Sequence, residues 1–211
     1  MDKPVIIFGA GGLGKAALEI FQANNIVVYC FLDDDETLHG KQINDIGIMS
    51  HTDDHGYLKY IGHKCEAFVA EENREQRKKI VDMLNERRKV MPVNAIHTSS
   101  VIAASAEIKH GCFIDAGVVI GSNVKMGNHC IIHSGAMIDY DVSLGNYVQI
   151  GAGSVIAAGA KIKDQVLIGS GATIVGKVTI GKGANIGPGS IVVRDVEAGA
   201  TVFGNPAQEV G

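Results

Sequence analysis

The sequence predicts a mixed fold: a small N-terminal α/β Rossmann-like half domain, then a parallel β-helix of six-residue repeats. Three observations carry this. An aliphatic residue recurs every six positions from Ile102 to Val192. A second track of small residues follows four positions after each. Near the start, a glycine turn stands between an apolar run and a helical pattern.

The six-residue phase runs unbroken through Ile102, Ile108, Ile114, Ile120, Met126, Ile132, Ile138, Leu144, Ile150 and on to Ile186 and Val192. Thirteen of its sixteen members are Ile, which chance does not produce. The second track, including Ala106, Cys112, Val118 and Cys130, holds only small or medium residues. A period of six fits neither an α-helix nor an alternating strand. It fits a solenoid in which three hexapeptides close one triangular coil of 18 residues. The large aliphatic then points into the prism and the small residue sits near a corner. About five coils fit between residues 100 and 192, stacked as parallel strands roughly 4.8 Å apart. Glycines after many large positions, among them Gly121, Gly127, Gly145 and Gly151, suit a turn that admits little bulk.

In the first half, the apolar run Pro4 to Phe8 ends at Gly9-Ala10-Gly11-Gly12-Leu13-Gly14, a match to GxGxxG. Leu13, Ala17, Ile20 and Phe21 follow at helical spacing, and a second apolar run, Ile26 to Leu32, ends in Asp33-Asp34-Asp35. A glycine turn between strand and helix, with acids about 20 residues on, suits a phosphate held at a helix N-terminus and a ribose or base held by the acids. About 95 residues precede the repeats, room for one mononucleotide-sized half. A nucleotide sugar, NAD and a purely structural role are the three readings of this half. Glu71 to Lys89 reads as an amphipathic helix with Ile80, Leu84 and Met83 on its buried edge. The domains expected are 1–95, binding a nucleotide sugar, and 96–211, the β-helix with a C-terminal tail.

Composition narrows the function classes. A net charge of -4 offers no broad basic surface for nucleic acid. No apolar run approaches the ~20 residues of a membrane span, and the start lacks the pattern of a signal peptide. The four cysteines, Cys30, Cys65, Cys112 and Cys130, form no metal-ligand spacing. They read as reduced buried thiols of a cytoplasmic protein. Cys112 and Cys130, 18 apart, read as a core ladder or, less simply, as a nucleophile pair.

FGAGGLGK, FLDDD, EENREQRKKI, AIHTSSVIA, the hexapeptide run and VFGNPA, in this order, resemble the sugar O-acyltransferase family of the hexapeptide-repeat superfamily. That family contains NeuD-like sialic acid O-acetyltransferases and N-acetyltransferases of nucleotide-linked amino sugars. The resemblance implies a left-handed β-helix, a homotrimer with sites between subunits, and acetyl-CoA as acyl donor. It implies transfer of the acetyl group to an amine or hydroxyl of a sugar or sugar nucleotide. Carried over by position, Gly9, Gly11, Gly12 and Gly14 match the phosphate turn, and Asp33 and Asp34 match the acids meeting base or ribose. Gln149, Ala158, Gly159, Ser170, Gly187 and Pro188 match the acyl-CoA channel. Asn205 and Pro206 match the terminal loop over CoA.

The sequence departs from the family at its base. Where the family has a His followed by an acid, this chain has Tyr140 and Asp141. A second family His corresponds to Gln149, and one in the glycine turn to Leu13. A general base is worth roughly 10²–10⁴-fold, and a phenol with a pKa of about 10 is a poor one. Counting by 18 stacks Asp115 on His133, where the carboxylate would orient the imidazole. His133, or else solvent, is therefore the candidate replacement for the base, against a plain surface Asp–His pair. Tyr140 remains an interface residue, an acceptor-binding hydroxyl or an unusual acid/base. Two further readings stand beside the sugar acyltransferase. One is a catalytically impaired trimeric relative that binds nucleotide sugar or CoA. The other is an acyltransferase with an amino-acid-like acceptor.

Overall fold

The computed structural model describes residues 3–210. The chain divides into two compact units, Met1–Ala95 and Ile96–Gly211.

The first unit is built on a five-stranded sheet. Its elements are β1 (Val5–Phe8), α1 (Gly12–Ala23), β2 (Val28–Leu32), β3 (Gln42–Ile43), β4 (Ile46–Ser50), α2 (His55–Leu58), β5 (Glu66–Val69) and α3 (Arg74–Arg88). The sheet order is β3-β4-β2-β1-β5, with β3 antiparallel to β4 and the other pairs parallel. The chain steps outward from β1 to β2 and β4, then returns to the far side of β1 as β5. The carboxyl ends of β1 and β5 therefore form the switch point at which such sheets take ligands. β1 and β2 are apolar because they are covered on both faces: Ile6, Ile7, Phe8, Phe31 and Leu32 are fully buried.

α3 differs from its expected packing. Its buried stripe is Arg77, Val81 and Leu84, the i, i+4, i+7 set, while Ile80 and Met83 are half-buried. The helix starts later than expected because the Asn73 side chain accepts the N–H groups of Glu75 and Gln76, an N-cap. Arg77 takes a core position because its guanidinium donates to the carbonyls of Glu71 (2.6 Å) and Glu72 (3.1 Å).

The second unit is the left-handed parallel β-helix. Two-residue strands recur every six positions, and each pairs with the strand 18 residues away. Three flat faces result, identified by their outward rows. The valine face carries Val101, Val119, Met137, Val155, Thr173 and Ile191. The lysine face carries Glu107, Lys125, Ser143, Lys161 and Thr179. The glutamine face carries Phe113, Ile131, Gln149, Leu167 and Asn185. The inward Ile ladder is dry: Ile114, Ile132, Ile150, Ile156, Ile168, Ile174 and Ile180 are fully buried. Each such side chain contributes about 2 kcal/mol of hydrophobic stabilisation.

The corners show why small residues recur. Cys112 and Cys130 lie in the core with free thiols, and each donates to the carbonyl of a glycine one coil on, Gly127 (3.2 Å) and Gly145 (3.1 Å). They are the core ladder of the two readings. The glycine after the inward aliphatic is required by close stacking, with the left-handed bend falling two residues later. A Cβ on Gly151 would lie 2.7 Å from the Gly169 carbonyl carbon. The positive-φ position is taken by Gly135, Gly153 and Gly171, but also by Asn123, Asp141 and Tyr147. A C-terminal hairpin, Thr201–Gly204 with Ala207–Glu209, closes the last coils, and the Phe203 ring lies over Gly187.

Candidate functional site

In the first unit the glycine turn splits by role. Gly9 (φ +104°) and Gly14 are glycine for packing: a Cβ on Gly9 would stand 2.6 Å from the Ala70 oxygen, and one on Gly14 would overlap the Gly9 oxygen. Gly11 and Gly12 are exposed, and a Cβ added to either would meet nothing within 4 Å. No side chain caps the N-terminus of α1 and its first turn holds no acid. This end thus presents backbone N–H groups and the positive end of the dipole to open space, as a phosphate requires. Leu13 is buried and packs inward rather than toward that space.

The two acids expected to meet a ligand part company. Asp33 turns back on the fold: Oδ2 accepts the Ala10 N–H (2.7 Å) and Oδ1 the Asp35 N–H (2.9 Å). It shapes the glycine turn from behind. Its carboxylate is committed because β2 ends beside β1, which brings the acid under the turn. Asp34 is exposed, and only its Oδ1 is occupied, by the N–H and hydroxyl of Thr52 (2.8 and 2.9 Å). His51 lies 4.0 Å from Asp34 and 3.5 Å from Glu36. Asp35 is held below the ordinary carboxylate range by hydrogen bonds from Thr37. Asp34 opens onto a cleft of about 480 Å³ lined by Thr52, Asp53, Gln76, Lys79, Ile80 and Met83. These residues come from the ends of β2 and β4 and from α3. No sequence motif joins those segments, so only Asp34 was legible beforehand. The apolar pair Ile80 and Met83 offers a flat wall, and the acids and Lys79 offer polar partners.

In the β-helix the site residues fall on two edges of the valine face. Tyr140 and Asp141 follow the strand Met137–Ile138 on one edge. Tyr140 is 55% exposed, so its ring is free to meet a ligand or a second chain. Its carbonyl accepts the Gly159 N–H (3.1 Å), and Asp141 accepts from the Asn123 side chain (3.2 Å). Ala158 stands one coil on from Tyr140. Its carbonyl takes the Lys177 N–H (3.1 Å), while its own N–H has no acceptor among the described residues. Gly159 is thus a structural link, and Ala158 carries the free donor.

His133, Gly169, Ser170, Gly187 and Pro188 lie on the opposite edge, with Ser170 and Pro188 exposed and 18 residues apart. Asn205 and Pro206 form the exposed tip of the C-terminal hairpin. His133 and Tyr140 are not neighbours in one chain, because the whole valine face separates their corners. One expectation needs correction here: Asp115 and His133 do not form the expected pair. Asp115 Oδ1 accepts the N–H of Ala116 (2.8 Å) and Oδ2 the hydroxyl of Ser134 (2.5 Å). The short carboxylate is taken by its own turn's Ala116 N–H and by the next coil's Ser134 hydroxyl, beside His133, rather than by the imidazole. The partner His133 does have is Gln149, with Nε2 to Nε2 at 3.3 Å. Among the described residues no cluster of three or more His, Cys, Asp or Glu could hold a metal. No described helix is long and apolar enough to cross a membrane.

Comparison with known proteins agrees with both halves. The PglD N-terminal domain family matches residues 4–84, and the bacterial transferase hexapeptide (six repeats) matches successive windows from 105 to 194. No curated protein sequence matches significantly. Among solved structures, a histidine-to-alanine mutant of GDP-perosamine N-acetyl transferase from Caulobacter crescentus, in complex with CoA and GDP-perosamine, superposes with a TM-score of 0.92 at 29% identity. That match covers 100% of this chain and 98% of the other. The acetyltransferase domain of PglB from Neisseria gonorrhoeae, in complex with acetyl coenzyme A, gives 0.90 at 26% identity over 100% of both chains. WeeI from Acinetobacter baumannii gives 0.68 at 25%, over 98% and 99%. The fold and the two matched families make this chain a hexapeptide-repeat acyltransferase. It belongs with the sugar acyltransferases that carry a PglD-type N-terminal domain.

Proposed function

We propose that the protein transfers an acetyl group from acetyl-CoA to the amine of a nucleotide-linked amino sugar. The observation that carries this is the full-length likeness to an N-acetyltransferase crystallised with CoA and GDP-perosamine. In the first unit, the uncapped α1 terminus with Gly11 and Gly12 holds the diphosphate, and the Asp34 cleft holds the nucleoside. In the β-helix, the Ala158 N–H is the donor to the oxyanion of the tetrahedral intermediate. Ser170, Gly187, Pro188, Asn205 and Pro206 contact the CoA chain. His133 is the base. The amine nitrogen bonds to the thioester carbonyl carbon and loses a proton to His133. The carbon–sulfur bond then breaks, and the thiolate recovers that proton. Tyr140, a poor base, positions the acceptor with its hydroxyl, and Asp141 braces the same corner.

A threefold assembly supports this division of labour. Val101 and Met137 are 63% and 51% exposed on the valine face, in one ladder with Val119 and Val155. Such a row favours burial against a second chain. With this face toward a threefold axis, the His133 edge of one copy meets the Tyr140 edge of the next. We assign the cytoplasm as the site of action, consistent with four free, buried thiols.

Acetyl-CoA binding measured by calorimetry, followed by thiol release with UDP-, GDP- and dTDP-amino sugars, tests the reading. Turnover is expected with at least one acceptor, and His133→Ala should lower kcat at least about 100-fold. Donor binding without turnover on any acceptor would sink the reading in favour of the catalytically impaired relative.

A further inference from the structure

We propose that Gln149 is a positioning residue for His133: its carboxamide fixes which imidazole nitrogen carries the proton, leaving the other as the base. The inference rests on the reading of His133 as the base and goes beyond it.

The fold places the two side chains together. Gln149 stands beside Ile131 in the parallel register of the glutamine face, and His133 follows two residues after Ile131. The Gln149 –NH2 faces the ring, Nε2 to Nε2 at 3.3 Å, and both residues are half-buried. The Phe113 ring packs at 6.3 Å from the imidazole, tilted by 58°, and limits how far it can swing. The ring is thus held from two sides, by an aromatic on the preceding coil and by a polar group on the following one.

A neutral imidazole has one N–H donor and one lone pair, and the partner of one nitrogen decides the state of the other. A carboxamide presents either its oxygen or its –NH2, related by a half-turn about its terminal bond. That half-turn brings the oxygen to His133 in place of the –NH2; Nε2 then keeps its hydrogen and Nδ1 keeps the lone pair. During transfer Nδ1 takes the amine proton while the Gln149 oxygen still accepts from Nε2–H. No other described residue hydrogen-bonds the His133 ring. On the coil before, Asp115 has one oxygen bound to the Ala116 N–H and the other to the Ser134 hydroxyl. On the coil after, the equivalent position is Gly151. Phe113 carries no hydrogen-bonding group. Asp115 is thus the charged group stacked next to the ring, and its two oxygens are taken by Ala116 on its own turn and Ser134 on the next coil. A neutral amide orients the imidazole without adding a formal charge beside it.

The test uses the pH profile of kcat/KM for acetyl transfer by the full chain. Gln149→Glu puts a carboxylate against the imidazole, which favours its protonated form. The base is needed unprotonated, so the acidic limb should move to higher pH by about one unit or more, with activity recovered above it. Gln149→Leu should lower kcat about tenfold or more, as loss of an orienting partner does, with KM for acetyl-CoA within about twofold of the parent. Acetyl-CoA binding by calorimetry confirms that each variant is folded. An unmoved acidic limb in Gln149→Glu overturns the inference. So does a raised KM for acetyl-CoA with unchanged kcat in Gln149→Leu, which would make Gln149 a donor-binding residue. If either occurs while His133→Ala remains inactive, the base assignment stands and only the orienting role fails. If His133→Ala retains full activity, the base assignment itself fails.

Discussion

Two alanine substitutions two residues apart in the glycine turn should have opposite effects. In Gly14→Ala the new Cβ would overlap the Gly9 oxygen and lie 3.1 Å from the Gly9 carbon. Both are backbone atoms, so no side chain can swing away. Ordinary contact begins near 3.4 Å, so the turn and α1 must move apart. Overpacking of this kind costs about 1–3 kcal/mol. The turn is also pinned by the Ala10–Asp33 hydrogen bond, which places the cost at the upper end. Alanine's helix preference returns about 1 kcal/mol, for a net loss of about 2 kcal/mol. In Gly12→Ala the Cβ meets nothing within 4 Å, so the helix preference acts alone and stability should rise by up to about 1 kcal/mol. Urea unfolding followed by helical circular dichroism measures both, since α1 and α3 lie in the first unit. Gly12→Ala should nevertheless weaken nucleotide-sugar binding by about tenfold or more, because its methyl occupies the space a phosphate approaches through. Equal midpoints for the two variants would refute the close approach. Undiminished nucleotide-sugar affinity in Gly12→Ala would refute the turn as the phosphate site.

Ala158→Pro removes the free N–H while keeping the corner, since Pro188 already occupies the same place in its own hexapeptide. It should lower kcat by about 10²–10³-fold with little change in acetyl-CoA affinity, and an unchanged kcat would exclude this N–H as the oxyanion donor. Met137→Glu adds a charge to the exposed valine face and should shift the assembly toward monomers in sedimentation velocity, without unfolding the coil. Burial, with a smaller contribution from the nearby Cys65, pushes the Cys30 thiol up from 9.0 to about 12. The folded state therefore holds this proton more tightly than the unfolded chain. The stability it contributes is complete below pH 9 and is lost as pH rises toward 12. Native protein at pH 8 should accordingly leave Cys30 unlabelled by a thiol reagent, and Cys30→Ala should flatten the alkaline loss of stability.

The β-helix was legible because its code is local and repeated. Each hexapeptide needs one large inward aliphatic and one small corner residue, and this need recurs at every step from Ile102 to Val192. The glycine turn was legible as a local motif, and Gly14 answers a steric demand set within that strand–turn–helix unit, whereas Gly9 answers one set by Ala70 after β5. Counting by 18 correctly stacked the backbones, so Cys112 and Cys130 fell into one ladder. It could not tell where a side chain goes after leaving that backbone. Asp115 closes on Ala116 and Ser134, and Asp33 on Ala10, because a short carboxylate takes the nearest N–H or hydroxyl first. Spacing alone also could not show that the Gln149 side chain reaches His133 from the next coil.

The sequence by itself determined the two halves, the inward ladder and the glycine turn between the first strand and helix. The tertiary structure decided which of the named polar groups remain available for chemistry. Periodicity records the needs of the backbone and core, which every repeat shares. Hydrogen-bond partners are chosen by distances between coils and strands, which no linear spacing encodes.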